Sequence, residues 1–331
     1  MYNVSFPGLN LEMTINPVAF SIGSFQVYWY GIIIGIGFAL ALFFALKNLK
    51  RFGIDRDGFI DCVLVGLICG IIGARLYYVI FRWGEYYSQH INEIFSIHNG
   101  GLAIYGGVIG GLLGGCIVAK KKKLPIPAIL DISVMGFLIG QGLGRWGNFF
   151  NQEAFGTPTD LPWRMVSENT EGVGVHPCFL YESLWCLIGF VLLYIFSRKF
   201  RKYDGQIFLL YLVWYGFERM IVEGLRTDSL YTPFLNLRVS QILAALTVIT
   251  GITLLVIFRK RTYKAVDSIP VISESDNPTE KPETAEDDKD AVSEIETDPE
   301  DTAEDDDTKK DTVSETTADT ENTDTDKNTK E

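Results

Sequence analysis

Long apolar runs separated by short polar segments make up the first 264 residues of the chain. A helix of about 20 predominantly apolar residues crosses the roughly 30 Å hydrocarbon core of a bilayer. Seven runs predict such transmembrane helices: 24–46, 59–81, 101–119, 128–144, 179–197, 206–223 and 240–258. The first run lacks the basic flank and cleavage site of a signal peptide, so we expect it to remain in the protein. The pattern therefore predicts an all-α polytopic membrane protein, with residues 1–264 as its transmembrane domain.

Basic residues concentrate in every second connection between these runs. They follow the first, third, fifth and seventh runs, at Lys47, Lys50, Arg51 and Arg56, at Lys120, Lys121, Lys122 and Lys123, at Arg198, Lys199, Arg201 and Lys202, and at Arg259, Lys260, Arg261 and Lys264. No basic residue precedes the first run, and only Arg82 lies between the second and the third. By the positive-inside rule, the N-terminus faces outward and the C-terminus faces the cytoplasm.

The last part of the chain, residues 265–331, has a different composition. It contains 25 Asp or Glu and 6 Lys, a charge near −19, so the whole-chain value of −12 leaves about +7 for residues 1–264. Thr, Ser, Asp and Glu dominate it and aromatic residues are absent, so it cannot bury enough apolar surface to fold. We expect a disordered acidic cytoplasmic tail. The charge balance also gives no reason to expect a nucleic-acid partner.

Candidate chemistry is confined to a few polar side chains within the apolar runs. The five cysteines and three histidines lack the spacing of metal ligands, so we expect buried thiols and no metal site. The many glycines between residues 100 and 115 predict close helix packing. The run 144–153 reads Gly-Arg-Trp-Gly-Asn-Phe-Phe-Asn-Gln-Glu and follows an apolar segment. A charge within the bilayer costs roughly 2.5–3.5 kcal/mol on insertion scales, so Arg145 indicates a functional site for a charged headgroup.

A second polar group ends the sixth run. Tyr215, Arg219 and Glu223 are four residues apart, and Arg226 follows by three, so all four are predicted to share one helix face. One interpretation is a structural ion-pair ladder. The other is an arginine clamp whose planar donors bind a phosphate in bidentate fashion. The phosphate interpretation is favoured, because positive charge at this boundary runs against the orientation trend.

The run from Gly144 to Glu153, followed by Gly156, resembles the signature of the bacterial prolipoprotein diacylglyceryl transferases. The resemblance covers roughly residues 15–260. Its other motifs follow in order: Trp29-Tyr30-Gly31, Gly73-Ala74-Arg75, Gly100-Gly101 with Gly106-Gly107, His176-Pro177 with Tyr181-Glu182, Tyr215-Gly216 with Arg219, Glu223 and Arg226, and Ser240-Gln241-Ile242-Leu243.

The resemblance implies an enzyme of the bacterial cytoplasmic (inner) membrane. Such enzymes move the diacylglyceryl group of phosphatidylglycerol onto the lipobox cysteine of a preprolipoprotein signal peptide, forming a thioether and releasing glycerol 1-phosphate. This is the first step of lipoprotein maturation, and it calls for no cofactor. The alternative of a lipid or small-solute transporter would usually show an internal repeat with broken spans, and no such symmetry is visible in the sequence.

The resemblance also implies roles for individual residues. Arg145 and Arg219 would stabilise the departing phosphate, and Asn148 and Tyr30 would position the headgroup. Glu153 would orient Arg145, and Glu223 would orient Arg219 and Arg226. The predicted catalytic residues are Arg145, Arg219, Tyr105 and Glu153, and the predicted binding residues are Arg145, Asn148, Tyr30, Asn151, Gly156, Tyr215, Glu223 and Arg226.

Tyr105 is a departure from the family pattern. Many members carry a histidine between the glycine pairs of the third span, often proposed as the base that takes the thiol proton. A phenol with an ordinary pKa near 10 is a poorer base at neutral pH. His98 is the other candidate, although a histidine at headgroup level is usually an ordinary interfacial residue. The identity of the base therefore stays open.

Overall fold

The computed structural model describes residues 1–96, 100–229, 231 and 237–262. All of them belong to the first of two units into which the chain divides, Met1–Pro270. His98 and the predicted acidic tail lie outside the described residues.

Helices dominate the described part of the chain, and each predicted run coincides with one of them. Seven helices contain 18 residues or more: α1 (Trp29–Asn48), α2 (Arg56–Phe81), α3 (Ile104–Lys121), α4 (Ile126–Asn151), α5 (Cys178–Lys199), α6 (Gln206–Leu225) and α7 (Val239–Phe258). All but α6 are long and apolar enough to cross a membrane, which makes this a multi-pass membrane protein. Every 18-residue window of α6 contains Glu218, Arg219 and Glu223, and these charges set it apart.

Five short strands correct the prediction of an all-α fold. They are β1 (Tyr2–Phe6), β2 (Leu11–Ile15), β3 (Val18–Ile22), β4 (Phe25–Tyr28) and β5 (Val166–Ser167). The first two and β5 form an antiparallel sheet in the order β2-β1-β5, and β3 and β4 form a hairpin. In β1, alternation points Val4 and Phe6 into a cluster with Phe149 and Phe179 of α4 and α5. The end of the bundle where these strands lie is called the strand end below.

The fourth helix is longer than its apolar run. The prediction placed its end at residue 144, whereas α4 continues to Asn151 and stops at Gln152, whose φ of 50° is left-handed. The run 144–153 is therefore mostly the last two helical turns. Gly147 has a specific packing reason, because a Cβ there would collide with the ring of Tyr30 on α1. The last turns of α4 are thereby packed closely against α1.

The fourth helix also lies at the centre of the bundle, in contact with α1, α5 and α6. Its inward positions Ala128, Ile132, Met135 and Leu138 have no exposed surface. Residues on α1, α2 and α7 such as Ile36, Leu67 and Ile249 remain about half exposed, as expected for side chains that face lipid.

Two contacts fix α6 against its neighbours. At the end opposite the strands, the buried carboxylate of Asp131 accepts hydrogen bonds from the backbone N–H groups of Gly205 (2.9 Å) and Phe208 (2.8 Å). These are N–H groups at the start of α6 that lack partners within the helix. Farther along, the stacked indoles of Trp185 and Trp214 each donate to the other residue's carbonyl oxygen at 3.1 Å. The cap and the tryptophan pair together set the register of α6.

The glycines of α2 and α3 bring these helices into backbone contact, which confirms the predicted close packing. A Cβ at Gly106 would collide with the backbone of Gly73, and a Cβ at Gly110 with the carbonyl of Cys69. Small residues are what permit such proximity in membranes.

We expect Gly110→Ala to lower the free energy of unfolding by about 1–3 kcal/mol, the usual cost of overpacking. Gly35→Ala on α1 is the matched control, because a Cβ there meets no atom within 4 Å. Thermal unfolding of both variants in the same detergent would compare them. Equal midpoints would contradict the proposed role of the Gly110 contact.

Candidate functional site

Three arginines converge on one buried carboxylate at the strand end of the bundle. Glu182, on the second turn of α5, is 1% exposed. It forms ion pairs with Arg145 of α4, with Arg219 of α6 at 3.1 Å, and with Arg226 at 3.5 Å. One residue thus joins the ends of α4, α5 and α6.

Two further carboxylates complete the set. Glu223 pairs with Arg219 at 2.5 Å, one helical turn away. Asp228 accepts two hydrogen bonds from Arg226, at 2.8 and 2.6 Å. Residues Arg145, Glu182, Arg219, Glu223, Arg226 and Asp228 are called the arginine cluster below.

The Arg226–Asp228 pair alters the titration of both groups. Hydrogen bonds from Arg226 hold the pKa of Asp228 below its usual value. Burial acts to lower the pKa of the Arg226 guanidinium, but the hydrogen bonds to Asp228 and the charge of Glu182 outweigh it and raise that pKa. Both groups are therefore charged at neutral pH.

Arg226 joins the cluster from outside the helix, which the sequence did not indicate. The prediction placed it on the helical face of Arg219, but α6 ends at Leu225 and Arg226 is extended, with φ −69° and ψ 147°. It forms an antiparallel bridge with Gly156. A Cβ at Gly156 would lie 2.7 Å from His176 Cβ and 2.9 Å from Cys178 Sγ, so only glycine fits between these segments. Gly156 thereby helps to place Arg226.

The three guanidinium groups differ in how many of their nitrogen atoms contact a carboxylate. Both Nη atoms of Arg219 meet carboxylates, and all three nitrogens of Arg226 do the same. Within the described part of the chain, neither Nη atom of Arg145 donates a hydrogen bond, and its side chain is 21% exposed. Arg145 can therefore present two parallel donors to an incoming anion.

The polar residues after Arg145 form a separate group. Glu153 accepts hydrogen bonds from the side-chain amides of Asn148 (2.9 Å) and Asn151 (3.4 Å). The prediction that Glu153 orients Arg145 is wrong, because Glu182 occupies that position. The prediction for Glu223 holds for Arg219 alone, since Arg226 pairs with Asp228 and Glu182.

Tyr30 and Asn151 line a shallow cleft beside this group. The cleft measures about 510 Å³, and its other lining residues are Phe25, Gln26, Val27, Tyr28 and Gly31. Most of its surface is apolar, and Asn151 and the tyrosines supply polar groups at its edge.

Tyr215 and Tyr105 occupy different positions. Tyr215 stacks on Tyr211, one turn before Arg219 on α6. Tyr211 in turn exchanges hydrogen bonds with Gln141, one turn before Arg145 on α4. Tyr105 lies on the first turn of α3, with its hydroxyl 3.4 Å from that of Ser240 at the start of α7. In the described residues, Tyr105 makes no contact with the arginine cluster.

The segment before α3 is held by Arg75. This buried guanidinium donates to the carbonyl oxygens of Glu93, Ile94, Gly100 and Gly101 at 2.7–2.9 Å. Gly101 has a φ of 75°, and a Cβ there would meet the guanidinium. Arg75 thus fixes the backbone at Gly100 and Gly101, which lead into the first turn of α3 and Tyr105.

The predicted site set omitted three carboxyl groups, Glu182, Glu218 and Asp228. The first two are ionisable residues within apolar runs, and the cost argument that singled out Arg145 applies to them equally. Nothing in the sequence pointed to Asp228, because its contact with Arg226 depends on how the chain bends after Leu225. Among the described residues, no group of three or more His, Cys, Asp or Glu could hold a metal ion.

The chain is similar to proteins of one family over nearly the whole helical bundle. The profile of the prolipoprotein diacylglyceryl transferase family matches residues 17–257. A phosphatidylglycerol–prolipoprotein diacylglyceryl transferase of Finegoldia magna is 45% identical over 249 residues, covering 75% of this chain and 98% of the relative. Proteins of the same name from Streptococcus pneumoniae and Bacillus licheniformis are 47% and 44% identical, covering 75% and 73% of this chain and 95% and 92% of the relatives.

Removing the charge of Glu182 should destabilise the protein strongly. We expect Glu182→Gln to lower the free energy of unfolding by about 3–5 kcal/mol, because it removes the carboxylate that pairs with Arg145 and one of the two that pair with Arg219 and with Arg226. Glu153→Gln is the matched control, since Glu153 is exposed and its side-chain hydrogen bonds in the described residues are with Asn148 and Asn151. Thermal unfolding in detergent measures both, and equal stability of the two variants would contradict the central role of Glu182.

Proposed function

The chain belongs to the prolipoprotein diacylglyceryl transferase family, and from this premise we propose that the arginine cluster is where it binds the phosphate of phosphatidylglycerol. The enzyme transfers the diacylglyceryl group to the thiol of a lipobox cysteine and releases glycerol 1-phosphate. The observation that carries the proposal is Arg145, which is held by Glu182 through Nε while its Nη donors have no hydrogen-bond partner among the described residues.

The charge that the enzyme must stabilise during the reaction lies on the phosphate. A sulfur–carbon bond forms while the carbon–oxygen bond to the phosphate breaks, so negative charge develops on the departing ester. Fixed donors in a site of low dielectric stabilise such charge effectively. Arg145 would contact the phosphate oxygens, and Arg219, fixed by Glu182 and Glu223, would contribute a second positive charge at short range.

The remaining predicted residues would bind the glycerol headgroup and place the arginines. Asn148 and Asn151, which share Glu153 as an acceptor, can each offer further polar atoms to glycerol hydroxyls. Tyr30 borders the same space next to Gly147. Gly156, Glu223 and Tyr215 would support the site from behind, the first two through their contacts with Arg226 and Arg219.

The membrane arrangement follows from the loop charges. We place all seven helices across the bacterial cytoplasmic membrane, with the strand end outward and the acidic tail in the cytoplasm. The charged helix α6 is included because it packs against α4, α5 and α7, which shields its ionised groups from lipid. The site would then open to phosphatidylglycerol and to signal peptides that have crossed the membrane.

Transfer of labelled diacylglycerol from phosphatidylglycerol to a lipobox peptide tests the proposal in membranes that contain this protein. We expect Arg145→Ala to lower kcat/KM by about 10²–10³-fold, the usual cost of removing one transition-state donor. Arg145→Lys should recover only part of it, because an ammonium lacks the planar pair of donors. Arg82→Ala is the control, since that side chain is 51% exposed and its ion-pair partner in the described residues is Glu85. A parent protein without transfer activity, or equal rates for Arg145→Ala and Arg82→Ala, would refute the proposal.

The thiol proton requires a separate test. If Tyr105 takes the thiol proton, Tyr105→Phe should lower kcat by about 10²-fold, a typical value for the loss of a proton-transfer group. His98→Ala should be assayed beside it at several pH values, with the peptide cysteine reduced. Full activity of both variants would exclude both side chains as the base.

A further inference from the structure

A buried carboxyl group next to the arginine cluster has no hydrogen-bond partner among the described residues. Glu218 precedes Arg219 on α6 and is 2% exposed. Among the residues that the structure describes, neither of its side-chain oxygens accepts or donates a hydrogen bond. Buried polar groups without partners are rare, and each calls for a physical explanation.

The charges around Glu218 are already balanced. Three guanidinium groups, of Arg145, Arg219 and Arg226, face three paired carboxylates, of Glu182, Glu223 and Asp228. Glu182 and these three arginines are near enough to act electrostatically on Glu218. Glu218 in turn acts on Arg145 of α4, Cys186 of α5, and Tyr211 and Tyr215 of its own helix. The remaining neighbour, α7, contains no ionisable side chain.

An ionised Glu218 would be unfavourable in two ways. A carboxylate without hydrogen bonds in a medium of low dielectric carries a large desolvation cost. It would also be the fourth negative charge beside three positive ones, and the surplus would repel an anionic phosphate. A protonated carboxyl group avoids both costs.

We propose that Glu218 is held as an uncharged carboxylic acid, and that its neutrality keeps the arginine cluster able to bind an anionic phospholipid headgroup. The second half of this statement rests on the proposed function. Glu218 is a positioning residue in this scheme, because it acts on the phosphate through the net charge of the cluster. No bond to the substrate is required of it.

The proposal predicts a pH dependence of binding. As the pH rises, Glu218 loses its proton and the cluster gains a negative charge. KM for phosphatidylglycerol then increases, by up to about tenfold for each pH unit above the midpoint, the limit for one proton. In Glu218→Gln this component of the increase is absent, whereas in Glu171→Gln, an exposed carboxylate of the loop after α4, it is retained.

Infrared spectroscopy of the purified full-length protein at pH 8 tests the protonation state without an assay. Solvated carboxyl groups are ionised at that pH, so a remaining carbonyl stretch of a protonated acid reports a buried group. We expect the parent and Glu171→Gln to show this band and Glu218→Gln to lack it. If Glu218→Gln does not fold, Glu218→Asp should shift the band.

The outcomes separate the two proposals. A parent spectrum without the band, or a band unchanged by substitution of Glu218, would overturn the assignment even if transfer is active. A band that depends on Glu218, together with the same pH dependence of KM in the parent and in Glu218→Gln, would overturn the role in headgroup binding. A parent that shows the band but transfers no diacylglycerol would refute the proposed function and leave the protonated acid standing.

Discussion

The convergence of three partly buried guanidinium groups on the buried carboxylate of Glu182 is the constraint on which the strand end of this protein depends. Each arginine comes from a different segment: the end of α4, the last turns of α6, and the extended residue after it. Removing charged groups from water is costly, and the cost is offset only when the ion pairs and hydrogen bonds between them have good geometry. The ends of α4, α5 and α6 must therefore be held in register, and much of the remaining structure does this.

The register is maintained from the opposite end and from the middle of the bundle. Asp131 on α4 caps the first turn of α6, and the Trp185–Trp214 pair ties α6 to α5. At the strand end, the apolar cluster of β1, α4 and α5 includes Phe179, three residues before Glu182, and the Gly156 bridge sets the direction of Arg226. Polar contacts between helices in a membrane contribute on the order of 1 kcal/mol each, so several are needed to position one charged site.

The sequence predicted the helices well and their ends less well. The long apolar runs located all seven helices, because hydrocarbon leaves few alternatives to a helix. They missed the strands of residues 2–28, whose alternation is short, and they ended α4 early because polar residues resemble a loop. Arg145 was found from the cost of charge near an apolar run, and Arg219 from its four-residue spacing with Tyr215 and Glu223. Their partner Glu182 was not assigned, and Glu153 was assigned in its place, because adjacency in sequence does not reveal which helices meet.

The two interpretations of the arginines apply to different members of the cluster. Arg219 and Arg226 each meet two carboxylates through both terminal nitrogens, which is the pattern of a structural ion-pair network. Arg145 meets one carboxylate through Nε and keeps its outer edge open. A phosphate bound there would gain two new hydrogen bonds without breaking an existing one. It would also enter a set of charges that is already neutral, so its own charge would be the surplus. The protonation state of any further carboxyl group nearby then decides whether an anion is held or repelled. Glu218, which has no hydrogen-bond partner in the part of the chain that the structure describes, is such a group.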